Sequence, residues 1–591
     1  MSADVENGWH ACSHGSNGVE TEAVYSFHKA NIHERRRAAT FARLVPLLFF
    51  LLVTSLVALG FVLSTRLLLS ICAILNASLC IGMSCRGILC LLGVRKMALE
   101  LQNEAAELHE DDVQHLIVIA NYKEAEGLSL LGLAAIIYYS VCGGPYGVED
   151  AVSAAGPLLS LTGFLVMPVI WSIPEALVTA ELATCFPSNA GFVEWVTAAF
   201  GPFWGFVEGF LSWLSAVADA SLYPVLFRDY LVTLWPEIGS GVAGQAFIAA
   251  LTICIAGLNY VGLSIVGWVA FALAGFVLSP FVFITAVGAP QVEPSKLMVS
   301  PSVSDVDWSG FLNILFWNLN YWDSASTLAG EVQDAERSYP RALAMAFVAV
   351  VLSYFLPLLV GLGIPGPTAH WKDWQSGELA RVGGQLGGPF VKSWVIAGAA
   401  VSCLAQQLSE MAEASFQLQG MAEDGWLPSF FGHRSRYDTP SVGLFLITVI
   451  VLVLSSSSSF TAIVNVLNAV YCIAQVLEFS AFLYLRRRHD DMERPYRVPC
   501  SFKVCCLMLA LPILFCFVLL ILPFFAGDWL QVGSIVGSVV TAVLLHHILE
   551  LSRRRGWLLF RRQPPRGLED ILADQASHFD PCLGGPEQPG T

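Results

Sequence analysis

Charge is scarce in this sequence. Asp, Glu, Lys and Arg make up 13% of its 591 residues, about half the quarter that soluble domains carry. That scarcity excludes an ordinary water-soluble protein, and a mean hydropathy of +0.63 points to an integral membrane protein. Ten-residue stretches of alternating polarity are missing, which argues for helices over a barrel. The spacing of a secreted disulfide framework or a zinc site is missing as well. The 15 cysteines, among them Cys72, Cys80, Cys85 and Cys90, sit mostly inside apolar runs and read as small buried hydrophobes. No GxxxxGK[ST] phosphate loop appears, so ATP-driven transport is not expected. No cleavable signal peptide is evident, because residues 1–40 are polar and the first apolar run is too long for one. The formal charge of −16 sums over loops and tails on both sides of a membrane and carries little weight alone.

What is present is a succession of hydrophobic windows of roughly 20 residues, which makes the fold class all-α, integral to the membrane. A polar tail (1–40) precedes a two-helix hydrophobic hairpin (41–96) and an acidic linker (97–127). The main hydrophobic body runs over 128–552, and a basic, then acidic and proline-rich tail (553–591) reads as disordered. About twelve spans are expected in the body. Arg337, Arg341, Arg434, Arg436, Arg486–Arg488, Arg494, Arg497 and Arg553–Arg555 follow even-numbered spans, and the opposite loops carry few bases. The positive-inside rule then places both ends in the cytoplasm.

Two spans are interrupted. In the first, YYSVCGGPYGVEDAV (138–152) brings Gly143, Gly144, Pro145 and Gly147 directly after an apolar run. Glycine opens backbone angles closed to other residues, and proline removes a hydrogen-bond donor. Unwound backbone survives at membrane depth only where protein packs it or it lines an aqueous cavity, so the break is a binding-site candidate. Its free carbonyls suit a cation, and its free N–H groups suit an anion such as a carboxylate. Glu149 and Asp150, however, already occupy the first turn of the second half-helix. The sixth span repeats the pattern at Asn320, Tyr321, Trp322, Asp323, Ser324 and Ser326. Interruptions in spans one and six are what two five-helix inverted repeats predict.

Acids recur at membrane depth: Glu175, Glu181, Glu208, Asp219, Asp323, Glu410, Glu413 and Glu478, with almost no bases beside them. An ionised carboxylate there costs about 2.5–3.5 kcal/mol on insertion scales, so the accumulation needs water, protons or cations. Glu208 and Asp219 share a face of the third span, being roughly three helical turns apart. A cation pathway follows, with Tyr138, Tyr321 and Trp322 offering cation–π faces. Glu181, Glu478 and Glu331, close to span ends, read instead as neutral or capped acids. The eighth span holds Gln406, Gln407, Ser409, Glu410 and Glu413 and can line a cavity, but no face is singled out.

Three segments, GGPYGVEDAV (143–152), FGPFWGFVEGFLSWLSAVADASLYPVLFRDYL (200–231) and WNLNYWDSASTLAGEV (317–332), closely resemble the polyamine uptake transporters of the amino acid–polyamine–organocation superfamily, which also contains the L-type amino acid transporters. PEALVTAELATCFPSNAGFVEW (174–195), SFQLQGMAEDGWLP (415–428) and RPYRVP (494–499) are similar to that family too. The resemblance implies a LeuT-like fold and proton-coupled import of polyamines such as putrescine and spermidine by alternating access. It implies no enzyme activity, no cofactor and no nucleic-acid partner, with a proton gradient as driving force. The plasma membrane is the expected location, an internal membrane the alternative. Gly143, Gly144, Gly147 and Glu149 match the family's first break, and Tyr321, Trp322 and Asp323 match the second, as substrate-binding residues. Asp219 and Glu208 are the candidates for a proton or a second amine. Rival readings are an L-type amino acid permease and a membrane enzyme or sensor. The latter rests on HLIVIANYKEAEGL (115–128), which resembles the first strand and turn of a family-two glycosyltransferase, a fragment expected to be inactive.

Overall fold

A computed structural model of the chain describes residues 128–232, 241–365, 370–455 and 460–579, all within one compact unit. The expected tail, hairpin and linker (1–127) lie outside the described residues, and so does nearly all of the glycosyltransferase-like segment.

Helix α1 (Leu130–Val141) begins where Ser129 Oγ accepts the Gly132 N–H at 3.2 Å and stops at the extended Cys142. After the glycine-proline segment, α2 (Glu149–Met167) starts with two acids in its first turn, where a carboxylate interacts favourably with the helix dipole. Gly156, at φ 79°, and Pro157 kink α2 after two turns. Beyond the kink a π-turn at Pro168–Ser172 leads into α3 (Ile173–Cys185). Next come α4 (Phe192–Phe200), α5 (Pro202–Ala220), α6 (Tyr223–Val232), α7 (Gly241–Val261) and α8 (Leu263–Gly288). The second interrupted element consists of α9 (Trp308–Trp317), an unwound stretch at 318–323 and a 3₁₀ segment, Ser324–Glu331. Then follow α10 (Ala335–Gly363), α11 (Glu378–Glu423, kinked at Gly388-Pro389), α12 (Ser441–Leu454), α13 (Phe460–Arg488), α14 (Phe502–Ala526), α15 (Trp529–Arg554) and α16 (Leu568–Phe579).

Among the described residues, nine helical stretches are long and apolar enough to cross a membrane, and α1 and α12 are shorter apolar helices. The protein is therefore all-α and multi-pass. α8 packs against α11 and α1, α13 against α5 and α14, and α6 against α11. On α14 and α15 the apolar side chains turn outward, as Leu507, Phe525 and Leu530 do, which is stable only against lipid. The two interrupted elements are stitched together. Leu128 N donates to Glu331 O at 2.7 Å, and Gln333 N donates to Leu128 O at 3.1 Å.

The C-terminal segment differs from its expected disorder as far as residue 579. Arg561 and Arg562 pair with Glu423 and Asp424 at the end of α11, and Ser429 N donates to Leu559 O at 2.8 Å. Leu568 and Ile571 are buried, with α16 packed on α4. Composition marked the segment as polar, but its arginines meet acids that the body presents.

Glu181, on α3, sits in a buried ion cluster. Its carboxylate meets Arg486 at 3.2 Å and Arg494 at 3.0 Å, with all three side chains at most 3% exposed, and accepts the Val498 N–H at 2.8 Å. Proximity to a span end suited a neutral or capped acid; the structure instead pairs it with two arginines, Arg486 near the end of α13 and Arg494 of the RPYRVP loop. Removing one partner from a buried ion cluster costs about 3–5 kcal/mol. Glu181→Ala should accordingly lower the thermal unfolding temperature in detergent sharply. Arg497→Ala, which breaks an exposed pair with Asp490, should cost at most about 1 kcal/mol. Equal shifts would contradict this assignment.

Candidate functional site

Both breaks are held open by side chains from other helices. At the first, Gly144 and Gly147 adopt φ of 97° and 80°, Ser402 Oγ on α11 donates to Gly143 O, and Gly147 N donates to Glu149 Oε2 at 3.0 Å. The other Glu149 oxygen accepts the Gly377 N–H at 3.3 Å. At the second, Tyr321 has φ 68°, a left-handed conformation unusual for an aromatic residue. Its N–H donates to the Tyr471 hydroxyl at 3.1 Å, and the Trp322 N–H donates to Glu175 Oε1 at 2.7 Å. Leu319 O accepts from Ser172 Oγ and from the Trp322 indole.

Two cavities meet at these breaks, sharing Ser140 of α1. The smaller has a cavity volume of about 10 Å³ and carries Asp323, Glu410 and Glu413 beside Tyr321 and Tyr471. Among the described residues, no Lys or Arg lines it. The larger, about 90 Å³, is bordered by Gly143, Gly147, Asp150, Asp219, Tyr223 and Gln406. Ser140 donates to Glu413 at 2.7 Å on the wall of the smaller cavity.

Asp323 is fully buried; Oδ1 accepts from the Tyr471 hydroxyl, and Oδ2 has no partner among the described residues. The same hydroxyl lies 2.8 Å from Glu175 Oε1 and accepts from Gln475 Nε2 at 3.0 Å. The Glu478 carboxyl also faces Asp323. Asp323 thus belongs to a buried group of acids organised by one phenol.

Of the residues read from the sequence, Asp323, Tyr321, Asp219, Gly143 and Gly147 line a cavity. Gly144 shapes the break without lining either one. Glu149 is taken by backbone N–H groups, and Glu208 lines neither cavity but accepts at 2.8 Å from Ser212, which lines the smaller one. The Trp322 ring packs on Phe347 with centroids 5.9 Å apart. Tyr138 is buried and lines neither cavity. Sequence reading did not single out Tyr471, which carries no local signal in an apolar helix. Glu410 and Glu413 were visible as acids, but their facing was not. Ser402, Gln406, Glu410, Glu413 and Gln417 recur every three or four residues and line the cavities in turn, a helical stripe that periodicity could have revealed.

The Tyr471 hydroxyl answers four polar groups at once. A buried group left unsatisfied costs about 1–3 kcal/mol, so Tyr471→Phe should lower thermal stability clearly more than Tyr321→Phe, whose hydroxyl meets, among the described residues, only Ser215, at 2.6 Å. A smaller effect at 471 than at 321, by thermal unfolding in detergent, would count against Tyr471 as the organiser.

Comparison with known proteins comes down on one family. The model of the amino acid permease family matches residues 128–545. A probable polyamine transporter of Arabidopsis thaliana is 46% identical over 73% of this chain and 86% of its own length. Polyamine transporter PUT1 of Oryza sativa subsp. japonica is 45% identical over 78% of this chain and 85% of that protein. Polyamine transporter RMV1 of Arabidopsis thaliana is 45% identical over 73% of this chain and 87% of that protein. With the interrupted helices and multi-pass architecture above, these matches establish that the chain belongs to the amino acid permease family of the amino acid–polyamine–organocation superfamily.

Proposed function

We propose that the chain is a secondary active transporter that imports polyamines such as putrescine and spermidine by alternating access, driven by a proton gradient. The observation that carries this reading is the smaller cavity, which presents Asp323, Glu410 and Glu413 with aromatic rings and, among the described residues, no basic side chain. A substrate bearing several ammonium groups and no carboxylate supplies the charge such a site lacks. The names of the relatives, polyamine transporters, agree with it.

In this reading Asp323 and its unpartnered oxygen bind a substrate ammonium, with Tyr321 covering it. Gly143, Gly144 and Gly147 keep the first break open, Glu149 anchors the half-helix that follows, and Trp322 fixes the second break. Asp219 takes a proton or a second amine, and Glu208 is the alternative for that role. The architecture proposed is a LeuT-like pair of five-helix inverted repeats within about twelve spans. Both termini are assigned to the cytoplasm and the protein to the plasma membrane.

The second reading, an L-type amino acid permease, draws on the family's description. It needs N–H groups at the first break for a substrate carboxylate. The Gly147 N–H already donates to Glu149 at 3.0 Å, so the protein's own acid occupies part of that position.

Labelled spermidine uptake into proteoliposomes, with and without an inward proton gradient, tests the proposal. Gradient-stimulated uptake is expected, inhibited by cadaverine and not by leucine. Inhibition by leucine alone would favour the permease reading, and no uptake would reject both. Asp323→Asn should reduce uptake about 10- to 100-fold, matching the roughly 1.5–3 kcal/mol of a hydrogen bond to a charged group. Glu331→Gln, at a half-buried pair with Arg434, should change it about twofold or less. Equal effects would remove Asp323 from the site.

A further inference from the structure

Asp219 borders the larger cavity and Glu410 the smaller. Between them stands Tyr223, the first residue of α6, whose hydroxyl lies 2.8 Å from Asp219 Oδ2 and 2.7 Å from Glu410 Oε1. A phenol has one hydrogen to donate. Two oxygen–oxygen contacts of that length need two hydrogens, so one of them comes from a carboxyl group. The second Asp219 oxygen accepts from the Trp317 indole at 2.9 Å. Glu410 Oε2 is buried with no partner among the described residues, on the wall of the smaller cavity.

The Asp219 and Glu410 carboxyls also face each other directly, and the further groups that face this trio are Glu413 on α11, the Trp317 indole on α9 and the Tyr321 hydroxyl at the second break. None is a base, and neither Asp219 nor Glu410 is in an ion pair among the described residues. Two carboxyls this close, in low dielectric and without a counter-charge, hold a proton between them.

We propose that Glu410, Tyr223 and Asp219 form a proton relay linking the two cavities, and that the coupling proton passes through it. The inference rests on the transport reading above. With the proton on Glu410, the acid donates to the phenol oxygen and the phenol donates to Asp219. When each hydrogen crosses its own bond, Glu410 becomes a carboxylate, Asp219 becomes the acid and the phenol stays neutral. One proton has then moved from one cavity wall to the other with no charge left on tyrosine. The free Glu410 carboxylate is the acceptor that an ammonium in the smaller cavity needs, so arrival of substrate there favours the shift.

The test uses the full-length protein in proteoliposomes and compares two fluxes of labelled spermidine. One is net uptake driven by a proton gradient, and the other is exchange against unlabelled spermidine at equal pH. Tyr223→Phe removes the bridging oxygen, and Glu410→Gln and Asp219→Asn each keep the shape without an acid proton. The relay predicts that the ratio of gradient-driven to exchange flux falls about tenfold in each variant. A variant that does not fold is judged on the other two. Unchanged ratios, whether both fluxes persist or fall in step, would overturn the relay. So would a wild-type protein that exchanges spermidine but ignores the gradient. Neither flux in the wild type would reject the transport reading itself.

Discussion

Unwound backbone at membrane depth must find partners inside the protein, and this requirement governs the centre of the molecule. The partners come from distant helices. Ser402 of α11 answers Gly143, Glu175 of α3 answers Trp322, and Tyr471 of α13 answers Tyr321. Tyr339 of α10 answers Ala325 in the 3₁₀ segment. Each break is therefore kept open by helices that must themselves stay in place. The cavities are a consequence of this arrangement, because side chains committed to backbone groups leave the space beside them unfilled.

The same economy explains why one acid at a break differs from another. Glu149 has both oxygens engaged by the N–H groups of Gly147 and Gly377, so it acts on the backbone as a helix-start carboxylate. Asp323 has one oxygen bound by Tyr471 and the other without a partner. Position beside a glycine-rich break made the two look equivalent in the sequence. Hydrogen-bond occupancy separates them.

The break positions were legible because glycine, proline and polar residues are costly in a spanning helix, and they coincide with the unwound stretches at 142–148 and 318–323. The acids were legible for the same reason. Their facing was not, since the rotation of a helix about its axis is set by its neighbours. Tyr471 shows the limit most clearly. Its partners Glu175, Tyr321 and Asp323 lie about 150–300 residues away in sequence, and a tyrosine in an apolar helix is an ordinary occurrence. The C-terminal segment failed for a related reason, because composition reports whether a segment can build its own core and says nothing of a surface already waiting for it.

A group of buried acids without bases has a further consequence that no single residue carries. Charge in a low-dielectric interior must be nearly balanced, so the number of positive charges held by Asp323, Glu175, Glu410, Glu413 and Asp219 is constrained whatever their identity. Protons meet the requirement when the cavity holds no cation. In the proposed reading an arriving ammonium takes one carboxylate while the proton moves to a second acid such as Asp219, so that both are carried together. On the proposed proton-coupled reading, the coupling needs no dedicated gate for the ion: it rests on acids that cannot remain charged alone, together with phenols placed to pass hydrogens among them.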